Sequence, residues 1–427
     1  YDWLFVENSS FQLGSIYLYI ILFLLLLVPT FLMGVSLPLL SKAFKNIGNQ
    51  GNFISLLYFT NTLGAAIGTF ITSFYLIPNM GFEKAIYVAA GLNFFCGLSV
   101  LLFNYLFKKE ENQQDEKAGL TEKLFEEEFN IPFKFWLIQY FISGFTAISF
   151  EIIWFRMIDV MMKSYAVTFS IILTIYLGSM AVGTWLGVLY NNKYKTGKLK
   201  TFLWIQASLY TYVAVSIVLL YFSVENIGFL EPLRGYFEGY DEIPSFKLRL
   251  ISMLIIPVFL MSIPTFIMGF SFSVSQNIIQ NDFSLVGKKL GTLQFINIAG
   301  STAGAWFASL IGFEILGTSL TLKLLLLAGF IYIGILGYQT YLSKINVGVM
   351  SLVLLVLVVF IPGKQDFWRV VSGVKEEANF IFSEDKTALS SIKIGEENAT
   401  VFINGLGQSH FPMKTDYFHI MLGAVPA

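Results

Sequence analysis

The chain has 427 residues, 56% of them hydrophobic and 13% charged, with a formal net charge of -1 and a mean hydropathy of +0.69. A soluble globular chain carries roughly 25% charged residues, so a water-soluble globule is excluded, and the near-neutral charge gives no case for nucleic acid. A single cysteine, Cys96, inside an apolar run, leaves neither a disulfide framework nor a cysteine metal cluster.

The apolar residues form runs of about 18 to 27 residues, the length a helix needs to cross a hydrocarbon core of about 30 Å. They do not alternate with period two, so helices rather than barrel strands are expected. The first segment, Tyr1 to Gln12, is a polar loop without the basic start of a cleavable signal peptide. About ten membrane helices follow, near 14–40, 53–78, 84–107, 133–157, 165–190, 201–223, 248–275, 289–313, 319–341 and 345–362. Between the third and fourth, the stretch from Lys108 to Asn130 is dense in Lys, Glu, Asp and Gln and reads as a solvated linker. After Pro362 the texture changes. Short strand-like runs at Phe380 to Phe382, Leu389 to Ile394 and Thr400 to Ile403 are separated by turn residues, and Gly405-Leu406-Gly407 reads as a turn between strand and loop.

Two parts of the chain repeat each other. Pro29-Thr30-Phe31-Leu32-Met33-Gly34 returns as Pro264-Thr265-Phe266-Ile267-Met268-Gly269, 235 residues on. Asn61-Thr62-Leu63-Gly64, with Gly68 and Gly81, returns as Asn297-Ile298-Ala299-Gly300, with Gly304 and Gly317, 236 residues on. Three blocks in one register indicate an internal duplication. The matched helices are six apart, an even number, so the copies run parallel, as in the halves of major-facilitator transporters. The second copy has three helices, 133 to 223, for which the first has no counterpart. The expected fold class is an all-α polytopic membrane protein of about ten transmembrane helices in two parallel repeats, the first incomplete, followed by the start of a β-containing soluble domain. The units are 1–107, the second half of the first repeat; 108–130, the linker; 131–342, the complete second repeat; 343–363, an extra membrane helix; and 364–427, the soluble unit. Either further helices at the N-terminus or a protein partner is expected to complete the first repeat.

Lysines crowd one side of the predicted topology: Lys42, Lys45, Lys108, Lys109, Lys193, Lys195, Lys198, Lys200, Lys288, Lys289 and Lys344. The positive-inside rule places that side in the cytoplasm and the C-terminal tail outside.

Few residues suggest chemistry. Asn61 and Asn297 occupy equivalent mid-helix positions and could face a cavity that binds a polar solute; the competing reading is an interhelical hydrogen bond. Gly64/Gly68, Gly183/Gly187 and Gly300/Gly304 have the small-xxx-small spacing of close helix packing. Glu151, Arg156 and Asp159 are charges in or near a membrane helix, where charge is costly and often functional, and Arg156 and Asp159 have the i,i+3 spacing of a pair. Glu314 and Lys323 read as loop residues. His410 and His419 lack a second ligand at metal spacing, so no metal is expected, and there is no nucleophile elbow, P-loop or dinucleotide-binding glycine turn.

Four stretches carry a resemblance: Ser143-Gly144-Phe145 through Phe150-Glu151-Ile152-Ile153-Trp154-Phe155-Arg156; Pro29 to Gly34 with Leu37-Pro38-Leu39; Leu57-Tyr58 through Gly64 and Gly68; and Phe402-Ile403-Asn404-Gly405-Leu406-Gly407-Gln408 followed by Phe418 to Pro426. The chain resembles the membrane-fused spermidine synthase-like proteins, in which a transporter-like helical domain precedes a polyamine aminopropyltransferase-like domain. The resemblance implies that Gln408, Tyr417 and His419 lie near a polyamine or nucleoside site. It also implies decarboxylated S-adenosylmethionine as cofactor of a complete domain. The pattern departs where Phe418 and Ile420 stand at the family's tyrosine and acidic positions. The family's glycine-rich turn and catalytic aspartate fall beyond Ala427, so no catalytic residue is assigned in this chain. Three functions follow as expectations: a spermidine synthase-like membrane protein of a bacterial inner membrane; a transporter of a polyamine or other small polar solute; or a non-catalytic membrane subunit of a larger complex.

Overall fold

The computed structural model of the chain describes residues 11–43, 49–106, 131–163, 167–226, 231–239, 251–280, 286–339, 341–395 and 398–411. The expected linker 108–130, most of the N-terminal loop, and Tyr417 and His419 lie outside the described residues. Apolar sequence closes its backbone hydrogen bonds within helices, and most of the chain does so. The helices are α1 (Phe11–Ala43), α2 (Gln50–Ile71), α3 (Ile77–Leu106), α4 (Phe133–Met161), α5 (Thr168–Lys193), α6 (Lys198–Asn226), the short α7 (Glu231–Glu238), α8 (Ile263–Ile279), α9 (Val286–Trp306), α10 (Thr318–Leu326), α11 (Ala328–Tyr338), α12 (Lys344–Phe360) and the short α13 (Lys364–Val371). Four strands end the described chain: β1 (Phe380–Glu384), β2 (Leu389–Ile394), β3 (Ala399–Ile403) and β4 (Leu406–Phe411).

Among the described residues, eight helical stretches are long and apolar enough to cross a membrane, or nine if α12 and α13, bent by 72° at Pro362-Gly363, count as one. The sequence suggests about ten, and the difference has local causes. The second and third expected spans run together through π-helical residues Thr72–Leu76 and bend at Gly81 (φ 79°), inside α3. At 17 residues, α12 is short for a span. Glu314 and Lys323, expected in a loop, are helical: Glu314 lies in the π-helical segment Phe307–Leu316 and Lys323 in the last turn of α10. The strands predicted at 380–382, 389–394 and 400–403 are present, and β4 adds a strand where a loop was expected.

The bundle is held by helices that touch at their backbones. The broadest contacts are α8 on α5, α9 on α4 and α2 on α5. A Cβ on Gly183 of α5 would stand 2.0 Å from the Phe266 carbonyl of α8, and one on Gly269 of α8 would stand 2.0 Å from the Met180 carbonyl of α5. The α4–α9 pair repeats this arrangement. Added at Gly144, a Cβ meets the Asn297 carbonyl at 2.2 Å, and at Gly300 and Gly304 it meets the Phe141 and Phe145 carbonyls at 2.2 and 2.3 Å. The small-xxx-small spacings at 183/187 and 300/304 therefore serve close packing. Around these seams lies one large apolar core that includes Phe150, Trp154, Tyr210, Leu260 and Tyr332. Amides tie the start of α2 to the neighbouring helix ends: Asn277 donates to Asn49 and Asn52 (2.9 and 3.0 Å), Asn52 donates to Asn192 (2.7 Å), and Lys198 donates to Asn277.

Replacing Gly183 or Gly300 by valine forces these helices apart and is expected to cost about 1–3 kcal/mol. Gly178→Ala, at a glycine with open space around it, is the control, expected to leave thermal unfolding in detergent unchanged.

Candidate functional site

The densest set of buried polar interactions lies where the sheet meets the end of the helical bundle. The sheet is a simple meander, β1-β2-β3-β4, antiparallel throughout. Alternation along β2 puts Leu389, Ser391 and Lys393 on the packed face. The β3–β4 turn uses two residues in the left-handed region, Asn404 (φ 47°) and Gly405 (φ 77°), as a two-residue hairpin requires. Gly405 sits on α4 so closely that a Cβ would stand 2.0 Å from the Val160 carbonyl.

Arg156, four residues before Val160 on α4, reaches the β1–β2 turn. Its Nη2 donates to the carbonyls of Asp385 (2.6 Å) and Ala388 (2.9 Å), its Nε lies 3.9 Å from Glu384 Oε1, and its guanidinium stands 4.4 Å from the centre of the Phe313 ring. The Glu384 side chain has no exposed surface. Its Oε1 accepts from the Thr318 backbone N–H (2.9 Å) and from the Thr318 hydroxyl, at the start of α10, where helix N–H groups lack partners and favour negative charge. Lys364 adds a partly exposed cation 3.8 Å from Oε2. The helix cap is Gly317 (φ 78°), and a Cβ there would crowd Lys364 and Glu384 at 3.0–3.1 Å. In the same turn Asp385 accepts from the Thr387 hydroxyl and backbone N–H (both 2.6 Å) and from the Ala388 N–H (2.9 Å). The Thr387 hydroxyl, then these backbone donors, draw its carboxyl down to about 2.

Lys393 holds the other side of the sheet. Its Nζ donates to the carbonyls of Phe237 (2.6 Å), at the end of α7, and Ser372 (2.8 Å), just after α13, and lies 4.1 Å from the centre of the Phe402 ring. Burial draws its ammonium down to about 7; the nearby Lys163 acts in the same direction and Glu238 opposes them. A neutral amine still has the two protons that those two carbonyls need. Arg369 of α13 completes the junction, with hydrogen bonds to Glu225 of α6 (3.1 Å), Asp366 (3.1 Å) and the carbonyls of Val374 (3.1 Å) and Lys375 (2.5 Å).

A second polar group lies inside the bundle. Tyr140 of α4 shares a hydrogen bond with Ser275 (3.0 Å) and accepts one from Gln276 (2.7 Å), and Gln276 accepts from Gln280 (3.0 Å). Tyr58 of α2 donates to Met180 (3.1 Å). Half-buried Glu151 acts electrostatically on Tyr176 and has neither a hydrogen bond nor an ion pair among the described residues.

The sequence-selected residues therefore separate. Arg156 belongs to the junction and engages β1 and its turn rather than forming the expected pair with Asp159, one turn further along α4. Asn297 donates to the Tyr140 carbonyl (3.0 Å), the interhelical alternative weighed for it. Its counterpart Asn61 is exposed on α2. Gln408, on β4, donates to its neighbour's carbonyl, Leu406 (3.3 Å). Glu384, Lys393 and Arg369 carry most of the junction, and sequence reading passed over them because polar residues in a strand-and-turn segment look solvated. The alternation of β2, with Lys393 in register with Leu389, was the available signal. No group of three His, Cys, Asp or Glu able to hold a metal occurs among the described residues. Comparison of the chain with protein-family models, curated proteins and solved structures returns no match.

Removing the guanidinium while leaving buried Glu384 behind is expected to cost about 3 kcal/mol. Arg156→Met should make the segment 380–411 sensitive to limited proteolysis, and adding Glu384→Gln should restore much of the protection. For Lys393 the folded chain holds fewer protons than the unfolded chain between about pH 7 and the ordinary lysine value, so stability rises with pH across that window. Thermal unfolding from pH 7 to 10 should show this rise, and Lys393→Met should flatten it.

Proposed function

We propose that this chain is the membrane-embedded part of a spermidine synthase-like protein, in which a duplicated, transporter-like helical domain holds the start of a polyamine aminopropyltransferase-like domain against one end of the bundle. The observation that carries this reading is the four-stranded sheet fixed by Arg156, Glu384 and Lys393, immediately ahead of the stretch 418–426 that resembles the entry to a spermidine synthase core. Two features support the duplication. Gly81 and Gly317 share one unusual backbone conformation, φ 79° and 78°. Thr30 and Thr265, also repeat counterparts, both turn their hydroxyls back to the carbonyl four residues earlier, at 2.6 and 2.8 Å. The bilayer is the solvent of α1–α12, and the lysine asymmetry favours a bacterial inner membrane with the sheet on the outer side.

In this reading the resemblance puts Gln408, Tyr417 and His419 near a polyamine or nucleoside site. Decarboxylated S-adenosylmethionine finds no cradle among the described residues: the glycines beside Gln408 turn one strand into the next, and no helix opens on them. Transfer is therefore assigned only to a polypeptide that continues into a nucleoside-binding turn. The second reading, transport of a polyamine or other small polar solute, is favoured by Glu151, a half-buried carboxylate on α4 close enough to Tyr176 to act on it electrostatically.

The full-length protein, in its own membrane, is expected to convert putrescine and decarboxylated S-adenosylmethionine to spermidine and methylthioadenosine, with Gln408→Ala raising KM for putrescine several-fold. Absence of both turnover and nucleoside binding would overturn the enzyme reading. Proteoliposome uptake of labelled spermidine, abolished by Glu151→Gln, would then identify a transporter.

A further inference from the structure

Two adjoining cavities lie where α6, α7 and α13 meet, on the sheet side of the bundle. The first, of about 120 Å³, is lined by Arg234 of α7, Arg369 of α13, Lys375 and the Glu225 carboxylate of α6. Arg234 and Arg369 are buried, at 8% and 6% exposure, and Lys375 is exposed. Among the described residues, three cations thus line the cavity against one carboxylate. Asp366 also meets Arg369 (3.1 Å) but does not line the cavity, and the group stays positive with both carboxylates counted. The second is a narrow apolar cleft along Ile217, Leu220, Tyr221 and Val224 of α6, with Phe367 and Val370 of α13. Spacings of three and four put those α6 residues, and Glu225, on one helix face. The two cavities share Val224 and Val370, so the cleft leads along that face into the cationic cavity.

We infer that this pair of cavities is a binding site for an anionic phospholipid, with the phosphate headgroup in the cationic cavity and the first acyl methylenes in the cleft. Depth along the helix supports the assignment. Residues Lys198–Asn226 form one apolar helix of 29 residues, longer than the ~20 that cross the hydrocarbon, so its last turn, with Val224 and Glu225, stands at headgroup level. The cleft lies one to two turns deeper, where acyl chains begin. The order of the two cavities is therefore that of an amphiphile, and the sign of the lining selects an anionic one. The walls are fixed without a ligand. Gly373 (φ 79°) presses the loop after α13 onto α7 so closely that a Cβ would stand 2.4 Å from the Arg234 carbonyl, and Arg369 holds the Val374 and Lys375 carbonyls at 3.1 and 2.5 Å. At about 120 Å³ the cavity has room for a group the size of several water molecules. Guanidinium and ammonium groups are the side chains that phosphate oxygens pair with most strongly. A polyamine, itself a polycation, is repelled by the same lining. The inference rests on α6 being a membrane helix and on neither the aminopropyl nor the transport reading, so failure of those assays leaves it standing.

The test uses the full-length protein, extracted from its own membrane in mild detergent and stripped of lipid. Binding of short-chain phosphatidylglycerol, phosphatidylcholine of the same chain length and inorganic phosphate is measured by calorimetric titration, the lipids kept below their micelle-forming concentrations. Phosphatidylglycerol is expected to bind once per chain, and phosphatidylcholine and inorganic phosphate each roughly tenfold more weakly. Arg234→Gln and Lys375→Gln are each expected to weaken phosphatidylglycerol binding roughly tenfold, the loss of one charge-assisted hydrogen bond. Lys375 is exposed, so its variant keeps the test open should Arg234→Gln fail to fold. Inorganic phosphate binding as tightly as the lipid would mark a site for a soluble oxyanion and overturn the lipid assignment. Equal binding of phosphatidylcholine, absence of phosphatidylglycerol binding, or an affinity that Lys375→Gln leaves unchanged would overturn the site.

Discussion

A carboxylate with no exposed surface must be surrounded by donors and positive charge, and Glu384 imposes that requirement on everything near it. It needs the free N–H at the start of α10, so the chain must turn sharply at residue 317, where a φ of 78° favours glycine. It needs the Arg156 guanidinium nearby, so α4 must extend beyond the apolar run to carry it. That guanidinium in turn fixes the β1–β2 turn by two carbonyls, and the turn sets the register of the strands that follow. The sheet is thus positioned by these polar contacts together with Phe380 and Leu389, which join the apolar core of the bundle.

The main lines of the molecule were readable because membrane helices obey one dominant rule. Long apolar runs gave the long helices among α1 to α12 nearly in place, though not the short α7, which lies in a stretch expected as a loop, and glycines at four-residue spacing marked the seams between α4 and α9 and between α5 and α8. The rest was hidden for identifiable reasons. Residues Leu406 to Phe411 contain a glycine, a glutamine, a serine and a histidine, so β4 carries almost no strand pattern of its own and exists because β3 offers it an edge. α13 is eight residues long, and its charged face masks the buried Phe367, Trp368 and Val371. The run near 319–341 is one span, Thr318–Tyr338, and Leu327 between α10 and α11 keeps helical angles (φ −60°, ψ −24°).

The site was legible by half. Arg156 stood out in the sequence as a charge near the end of a membrane helix, open to both a functional and an anchoring reading, but its partners are more than two hundred residues away and sit in or beside the β1–β2 turn, which local spacing cannot reveal. The i,i+3 relation to Asp159 was a correct geometric possibility, yet two carbonyls and a carboxylate from the sheet engage the guanidinium instead. Asn297 shows a different limit. Sequence identifies an amide at membrane depth, but only packing tells whether it faces a solute or a neighbouring backbone. In α9 it faces the backbone.

The junction also has a mechanical consequence. Every anchor named for the sheet lies after residue 131: Arg156 and Val160 on α4, Glu225 on α6, Phe237 on α7, Thr318 on α10, and α13 itself. None belongs to α1, α2 or α3. The sheet is therefore a passenger of one half of the bundle and does not strap the two halves together. If α1–α3 tilt against the remaining helices, as the halves of a rocking transporter do, the sheet travels as a rigid extension of the later half, and a soluble domain built on it would be carried along without being deformed.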